Sequence, residues 1–269
     1  MSLGKQIRLS RLFNPKSGRI FVVAFDHGIN RGVLPGIEDI GAKLATVVNA
    51  GVEAVTLNKG IASKLFPPHA GKVSLIMKAS GFSPFHKSYD VLFADVEEAV
   101  RLGADAISVG VIIGDERQPE MLKGLGMISK EAQSMGMPLV AHIYPAGNLI
   151  PESERYSAEH ISYCARVGAE LGVDIVKTWY TGSPESFAKV VEACPTYVVV
   201  AGGPKMESTM DLLKMTYDAV SAGASGVTYG RNVWQHDDIP GVISAVKAVI
   251  HKEKTPEEAA KMIIKGPEE

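Results

Sequence analysis

Cysteine is scarce in this chain, with only Cys164 and Cys194 among 269 residues. Neither stands at a metal-ligand spacing, and two thiols make no disulfide framework, so buried free thiols in a reducing compartment are expected. No apolar run approaches the roughly 18 residues of a membrane span. The opening MSLGKQIRLS lacks the apolar stretch of a secretory leader, so the expected location is cytoplasmic. Blocks of like charge are missing too. Lys and Arg number 28 against 30 Asp and Glu, giving a formal net charge of −2. Neither a basic nucleic-acid face nor a membrane-surface helix is therefore expected. A small anionic substrate stays open, because a few local donors bind it whatever the net charge.

What the chain does have is alternation. It is 46% hydrophobic and 22% charged, ordinary for a globular protein, and long enough to bury a large core without staples. Eight short β-rich runs recur: 20–26, 54–58, 73–78, 106–111, 138–144, 173–179, 196–202 and 225–230. Amphipathic stretches lie between most of them. One, 96–105, opens with acids and has Gly103 near its end. Another, 184–194, has Ser183 placed as an N-cap and Pro184 at the first helical position. A third, 206–224, ends near Gly223. These are helix start and stop signals. The phrases NAGVEAV, RLGADAI, ELGVDIV and SAGASGV mark four helix-to-strand junctions.

Eight βα units without a long linker predict one α/β domain over 1–269, a (β/α)8 TIM barrel, in preference to an open doubly wound sheet. Residues 1–19 are expected under or beside the barrel. The tail 252–269 is expected to begin with a helix over 255–265.

In such a barrel, chemistry sits where strands end. The run ends carry Asp26-His27-Gly28, Asn58-Lys59-Gly60, Lys78, His142 with Tyr144, Lys177, Gly202-Gly203-Pro204-Lys205 and Gly230-Arg231-Asn232. The fourth run ends blandly, and the opposite ends are mostly Gly, Ala and aliphatic. Glycines and an arginine after the last two strands suit a phosphate, although glycines there also simply make tight turns.

Lys177 closes an apolar strand, where an ammonium must reach water, find an anion or lose its proton. A solvated lysine is the ordinary outcome. A neutral amine in a desolvated barrel mouth, near other cations, is instead a nucleophile for a carbonyl. Tyr144, one strand away, would then handle protons, or else is a barrel-rim tyrosine. Asp26 would orient a hydroxyl or help dehydrate a carbinolamine, or else is an N-cap. His27 and His142 make a weak metal case.

The motifs AFDHG, HIYPAG, DIVKTWYTG, VVVAGGPK and GVTYGRNVWQ together resemble the archaeal-type class I fructose-bisphosphate aldolase family. That family also contains a heptulosonate synthase of aromatic biosynthesis and a thiolase of quorum-signal breakdown. The likeness runs from about Gly4 to the C-terminal helix. It implies a metal-free (β/α)8 barrel without a cofactor, usually assembled as pentamer-based decamers, acting on a phosphorylated ketose. By the resemblance Lys177 is the Schiff-base lysine, Tyr144 the proton donor and acceptor, and Asp26 the supporting carboxylate. Gly202, Gly203, Gly230 and Arg231 hold the phosphate, with His27, Lys59, Lys78 and Lys205 as further substrate-binding candidates. One departure is Ala146 in YPAGN, where the family often has arginine; it leaves the aldehyde half open. The alternatives are an acyl-transferring thiolase on a phosphorylated diketone, a phosphosugar isomerase and a non-catalytic phosphometabolite-binding protein.

Overall fold

The four junction phrases fold alike. Each helix ends at a glycine in the left-handed region, with φ of 81° at Gly51, 70° at Gly103, 79° at Gly172 and 104° at Gly223, where a side chain would be strained. In three of them the acid two residues later accepts a backbone N–H at the start of the neighbouring strand. Glu53 takes that of Phe21, Asp105 that of Leu75 and Asp174 that of Leu139. The repeat is therefore a clamp that ties adjacent strands together at their N-terminal ends.

The computed structural model describes residues 1–263. Its strands, in chain order, are β1 (Ile20–Ala24), β2 (Ala54–Asn58), β3 (Ser74–Lys78), β4 (Ser80–Ser83) and β5 (His86–Leu92). They continue with β6 (Ala106–Ile112), β7 (Leu139–Tyr144), β8 (Ile175–Thr178), β9 (Tyr197–Ala201) and β10 (Gly226–Tyr229). Eight of them close a barrel in the order β1-β10-β9-β8-β7-β6-β3-β2, every pair parallel. These are the eight expected strands.

The other two strands, β4 and β5, pair antiparallel in a hairpin inserted after β3. The sequence reading did not anticipate it. The major crossover helices, such as Gln118–Ser134 and Ala158–Glu170, pack outside the barrel. Ser183 caps Pro184–Glu192 by accepting the Ser186 N–H, with Pro184 in the first turn. Among the described residues no helix is long and apolar enough to cross a membrane. Both cysteines are free and buried.

Period-two alternation sorts each strand into an outward and an inward set. Outward residues such as Val23, Val55, Ile107, Ala141 and Val176 join the main core under the helices. Inward, Ile20, Val22, Ala54, Ile76, Ala106, Val140, Ile175 and Val199 form a second, apolar core inside the barrel. The N-terminal helix Leu3–Leu12 closes this core from below with Leu9 and Leu12. Lys5, nearly buried, pins that helix to Asp174 at 2.7 Å. The tail forms a short helix, Pro256–Ala260, with a capping box at Thr255 and Glu258. A turn at 261–262 ends it sooner than the expected 265, and residues 264–269 lie outside the described residues.

Candidate active site

Two residues above the apolar layer, the same alternation brings polar side chains onto the inner face. Lys78 follows Ile76, His142 follows Val140 and Lys177 follows Ile175. Lys177 stands in register with His142 across the β7–β8 ladder. These side chains form the floor of a cavity of about 330 Å³ at the C-terminal end of the barrel. Its wall includes Asp26, His27, Tyr144, Trp179, Gly202, Gly203, Gly230 and Arg231.

The lysine at the end of β8 is thus buried and, among the described residues, not salt-bridged. Only 8% of Lys177 is exposed. Burial lowers its pKa, the nearby Asp26 carboxylate works against that, and the Lys78 ammonium adds to the lowering, for a value of about 8. At pH 7 that leaves roughly one molecule in ten with a free amine, against about three in ten thousand for an unperturbed lysine.

Asp26 stands at the N-cap position of the five-residue helix His27–Arg31, but its side chain makes no capping hydrogen bond. It faces the cavity instead. Burial alone would raise its pKa, yet Lys177, His27, Lys78 and a backbone hydrogen bond outweigh that, and it is lowered. His27 Nδ1 and His142 Nδ1 lie 3.8 and 3.9 Å from its carboxylate oxygens. Neither contact is an ion pair, because both rings are neutral near pH 7. Burial, with Lys177 and Arg231, brings His27 to about 4 against the pull of Asp26. Burial, with Lys177 and Lys78, holds His142 well below its usual value.

Tyr144 ends β7 with its ring stacked on Trp179, centroids 5.1 Å apart at 26°. Trp179 stacks in turn on Tyr156, 4.9 Å away at 23°. Burial and the Asp26 carboxylate push the Tyr144 hydroxyl far above its ordinary range, so it stays a phenol at neutral pH.

Beyond β9 and β10 the chain approaches itself closely. A Cβ on Gly202 would fall 2.6 Å from the Tyr229 ring, and one on Gly230 would fall 2.5 Å from His27. Gly203 has φ of 66°. Asn232 staples the two loops: its side chain donates to the carbonyls of Gly202 and Pro204 and accepts from Met206 N–H. Arg231 donates to the Gly203 carbonyl at 2.7 Å, while its Nε is buried without a hydrogen-bond partner among the described residues. The Gly202 N–H is taken by the Thr228 carbonyl. An anion here would therefore meet the Gly203 and Gly230 turns and Arg231, not the Gly202 N–H.

Two of the expected site residues are not brought to this cavity. Asn58 shares the parity of the inward Ala54, so Lys59 steps outward; it donates to the Phe93 carbonyl and pairs with Glu98 at 2.9 Å. Lys205 is exposed and donates to the Gln235 carbonyl. Conversely, the hairpin supplies Phe82, Lys87 and Asp90, the short helix His27–Arg31 supplies Arg31, and the turn after Glu152–Glu154 supplies Arg155. Asp90 is buried 4.0 Å from Lys78, whose ammonium also donates to Ser80 at 3.0 Å. Nothing local in the sequence marks these residues beyond the short alternation Tyr89-Asp90-Val91.

The arrangement offers a partly unprotonated amine, an ionised carboxylate, a neutral phenol and an anion-binding end in one cavity. Similarity to known proteins points the same way. Residues 20–236 match the DeoC/LacD family aldolase. The 2-amino-3,7-dideoxy-D-threo-hept-6-ulosonate synthase of Halobacterium salinarum is 33% identical over 258 residues, 95% of each chain. The 3-hydroxy-5-phosphonooxypentane-2,4-dione thiolase of Escherichia coli is 32% identical over 97% of this chain and 87% of its own. An archaeal fructose 1,6-bisphosphate aldolase structure superposes with a TM-score of 0.84 at 31% identity, covering 92% of this chain and 99% of that one. A related structure, at 30% identity and the same TM-score, has its catalytic lysine bound to the carbinolamine intermediate; it covers 92% of this chain and 99% of that one.

Proposed function

This chain belongs to the DeoC/LacD family aldolases, and we propose that it is a Schiff-base aldolase acting on a phosphorylated ketose. The observation that carries the reading is Lys177: a buried lysine of pKa about 8 on the cavity floor, beside the ionised Asp26.

In the cleavage direction the free amine of Lys177 adds to the ketose carbonyl. The carbinolamine takes up a proton from solvent and loses water, leaving a protonated imine, and hydrolysis returns that proton at the end of the cycle. The electron pair of the adjacent carbon–carbon bond moves into that imine, and an aldehyde departs as its hydroxyl proton passes to the Asp26 carboxylate. Tyr144, held as a phenol, protonates the enamine carbon that remains, and the proton on Asp26 restores the phenol. Water then returns the second ketose and the free lysine. The phosphate rests on Arg231 and the Gly203 and Gly230 turns, and its remote binding fixes the carbonyl over Lys177.

Sodium borohydride reduction in the presence of dihydroxyacetone phosphate or fructose 1,6-bisphosphate, followed by peptide mass spectrometry, tests this. The expected result is a stable adduct on Lys177 and none in the Lys177→Ala variant. An adduct on another residue, or none with any phosphorylated ketose, refutes it. The same mixture supplied with coenzyme A and a phosphorylated diketone separates carbon–carbon cleavage to an aldehyde from acyl transfer to a thiol.

A further inference from the structure

The closed end of the barrel holds chemistry-bearing side chains that the aldolase reading does not use. Three segments meet there: the turn before β1, the junction before β2 and the end of the helix Ile239–Ile250. They bring together Ser17, Glu53 and His251. Ser17 Oγ lies 2.7 Å from His251 Nδ1, and His251 Nε2 lies 3.4 Å from Glu53 Oε1. Hydroxyl, imidazole and carboxylate thus follow one another in the order in which a nucleophile, its base and an orienting group act.

The neighbours decide which way the serine proton points. Burial would raise the pKa of Glu53, but His251, Lys247 and the Phe21 N–H outweigh that, and it is lowered. Among the described residues His251 Nε2 has no hydrogen-bond partner, so this ionised carboxylate is its polar neighbour. A carboxylate beside Nε2 keeps the ring proton there and leaves Nδ1 to accept. Ser17 O–H is then the donor in the 2.7 Å bond, as a serine activated by its base must be. The 3.4 Å contact is long for a hydrogen bond, and such contacts tighten when substrate is bound.

Both ends of the chain of contacts are fixed. Glu53 Oε2 accepts the Phe21 N–H at 2.9 Å. Ser17 stands in a tight turn: Asn14 Oδ1 accepts the N–H groups of Lys16 and Ser17, Gly18 takes a φ of 67°, and Arg19 N–H donates to Ser17 Oγ.

Ser17 and His251 open on a cleft of about 740 Å³. Lys16, Arg19 and Lys252 also line it and form no ion pair among the described residues. Glu253 is the one carboxylate of the lining. Lys252 is the one non-glycine residue with a positive φ among the described residues, at 59°. Glycine usually fills that position after a helix, so this turn carries an ammonium at the cleft where a bare backbone would suit the fold better.

We propose that this cleft is a second reactive site, an esterase in which Ser17 is the nucleophile, His251 its base and Glu53 the orienting carboxylate, acting on a small ester whose acid half carries a negative charge. The inference goes beyond the aldolase reading and does not depend on it. Ser17 Oγ bonds to the ester carbonyl carbon as its proton passes to His251 Nδ1, and Glu53 stabilises the imidazolium. The ester C–O bond breaks, and the alcohol leaves with that proton. Water then gives a proton to His251 as it adds to the acyl-serine. The proton returns to Ser17 Oγ as the acid departs and ionises. The unpaired cations of the cleft hold the charged end of the acid half.

Fluorophosphonate labelling of the full-length protein, followed by peptide mass spectrometry, reads the serine directly and scores any reaction at Lys177 apart from it. The expected result is a phosphonyl group on Ser17. His251→Gln leaves the serine in place and should slow labelling about a hundredfold, the scale of a lost general base. Hydrolysis is followed with 4-nitrophenyl hydrogen succinate against 4-nitrophenyl butyrate, whose acid halves are equally long and differ in charge, with Ser17→Ala giving the background for each. The wild-type chain should hydrolyse the charged ester faster by about tenfold or more. Lys252→Gly removes a cation and puts in the left-handed turn the residue that suits it, so the fold is kept while the preference should fall toward one. No adduct on Ser17, labelling unmoved in His251→Gln, no turnover of either ester, equal rates for the two, or a preference unmoved in Lys252→Gly overturns the inference. None of these outcomes bears on Lys177, whose borohydride trapping tests the aldolase reading separately.

Discussion

Lys177 and His142 face each other in register across the β7–β8 ladder, both turned into the barrel. The lysine's charge adds to burial in keeping that histidine neutral, and His27 is held neutral for the same two reasons. This has a consequence for stability. An unfolded histidine binds its proton near 6.5, whereas folded His27 resists until about 4. Below about pH 6.5 the unfolded chain therefore holds more protons than the folded one, and stability falls as pH drops toward 4. For His27 alone the full loss is roughly 3 kcal/mol. Thermal melts between pH 7 and 4 should show this limb in the wild type and a shallower one in the His27→Asn, His142→Asn double variant. An unchanged limb in that variant would locate the acid sensitivity elsewhere.

The nucleophile predicts a second pH effect, of opposite origin. The amine fraction of Lys177 rises with pH through a midpoint near 8 and levels off about a unit above it, so the rate of borohydride trapping at saturating ketose should do the same. Lys78 helps lower that value. Removing its charge in Lys78→Met favours the protonated form of Lys177 and should move the midpoint of the profile to higher pH. A midpoint that stays put would mean that burial alone sets the reactivity of Lys177.

Gly110, on β6, is a site where one methyl group should disturb the polar layer. A Cβ there would fall 2.1 Å from Asp90 Oδ2, so the carboxylate must move if any side chain is present. Asp90 sits 4.0 Å from Lys78, and Gly110 N–H donates to the Ser80 hydroxyl that also receives Lys78. Gly110→Ala is expected to cost about 1–3 kcal/mol, as overpacking does, and to depress kcat by displacing Lys78. Chemical denaturation together with steady-state kinetics checks both parts. A variant with wild-type stability and turnover would show that the hairpin yields freely.

The barrel was legible because parallel strands covered on both faces read as nearly continuous apolar runs, and because the junction phrases repeat. Lys177, Lys78 and His142 were legible as polar residues at the ends of those runs. Strand-end position alone, however, does not give a side chain's face. Counting by twos from Ala54 puts Asn58 inside and Lys59 outside, a parity the run end concealed. The hairpin escaped notice because Gly81, Ser83 and Pro84 read as a loop and β5 leaves much of its length exposed. Asp90, Phe82 and Lys87 went with it. Arg31 ends a helix of only five residues and Arg155 lies in a turn, both too short for a period to say which way a side chain points. Only the folded chain brings them to the cavity.

The two ends of the barrel should separate stability from chemistry, and Asp174 is the residue to show it. At the closed end its carboxylate accepts the Leu139 N–H and pairs with Lys5 at 2.7 Å, joining the N-terminal helix to β7 and β8. Asp174→Ala strips both partners and leaves a nearly buried ammonium uncompensated, which costs about 3 kcal/mol or more. Lys177 lies three residues further along the chain, on the opposite side of the apolar layer formed by Ile175 and its neighbours. That apolar layer lies between the charge pair and the cavity floor. The expected result is a clear fall in melting temperature with a trapping rate at Lys177 close to wild type when measured well below that temperature. The double variant Lys5→Met, Asp174→Ala should recover part of the stability, because it removes the stranded charge. If Asp174→Ala instead lowered trapping at constant stability, the acid clamps below the barrel would have to be counted as part of the site above it.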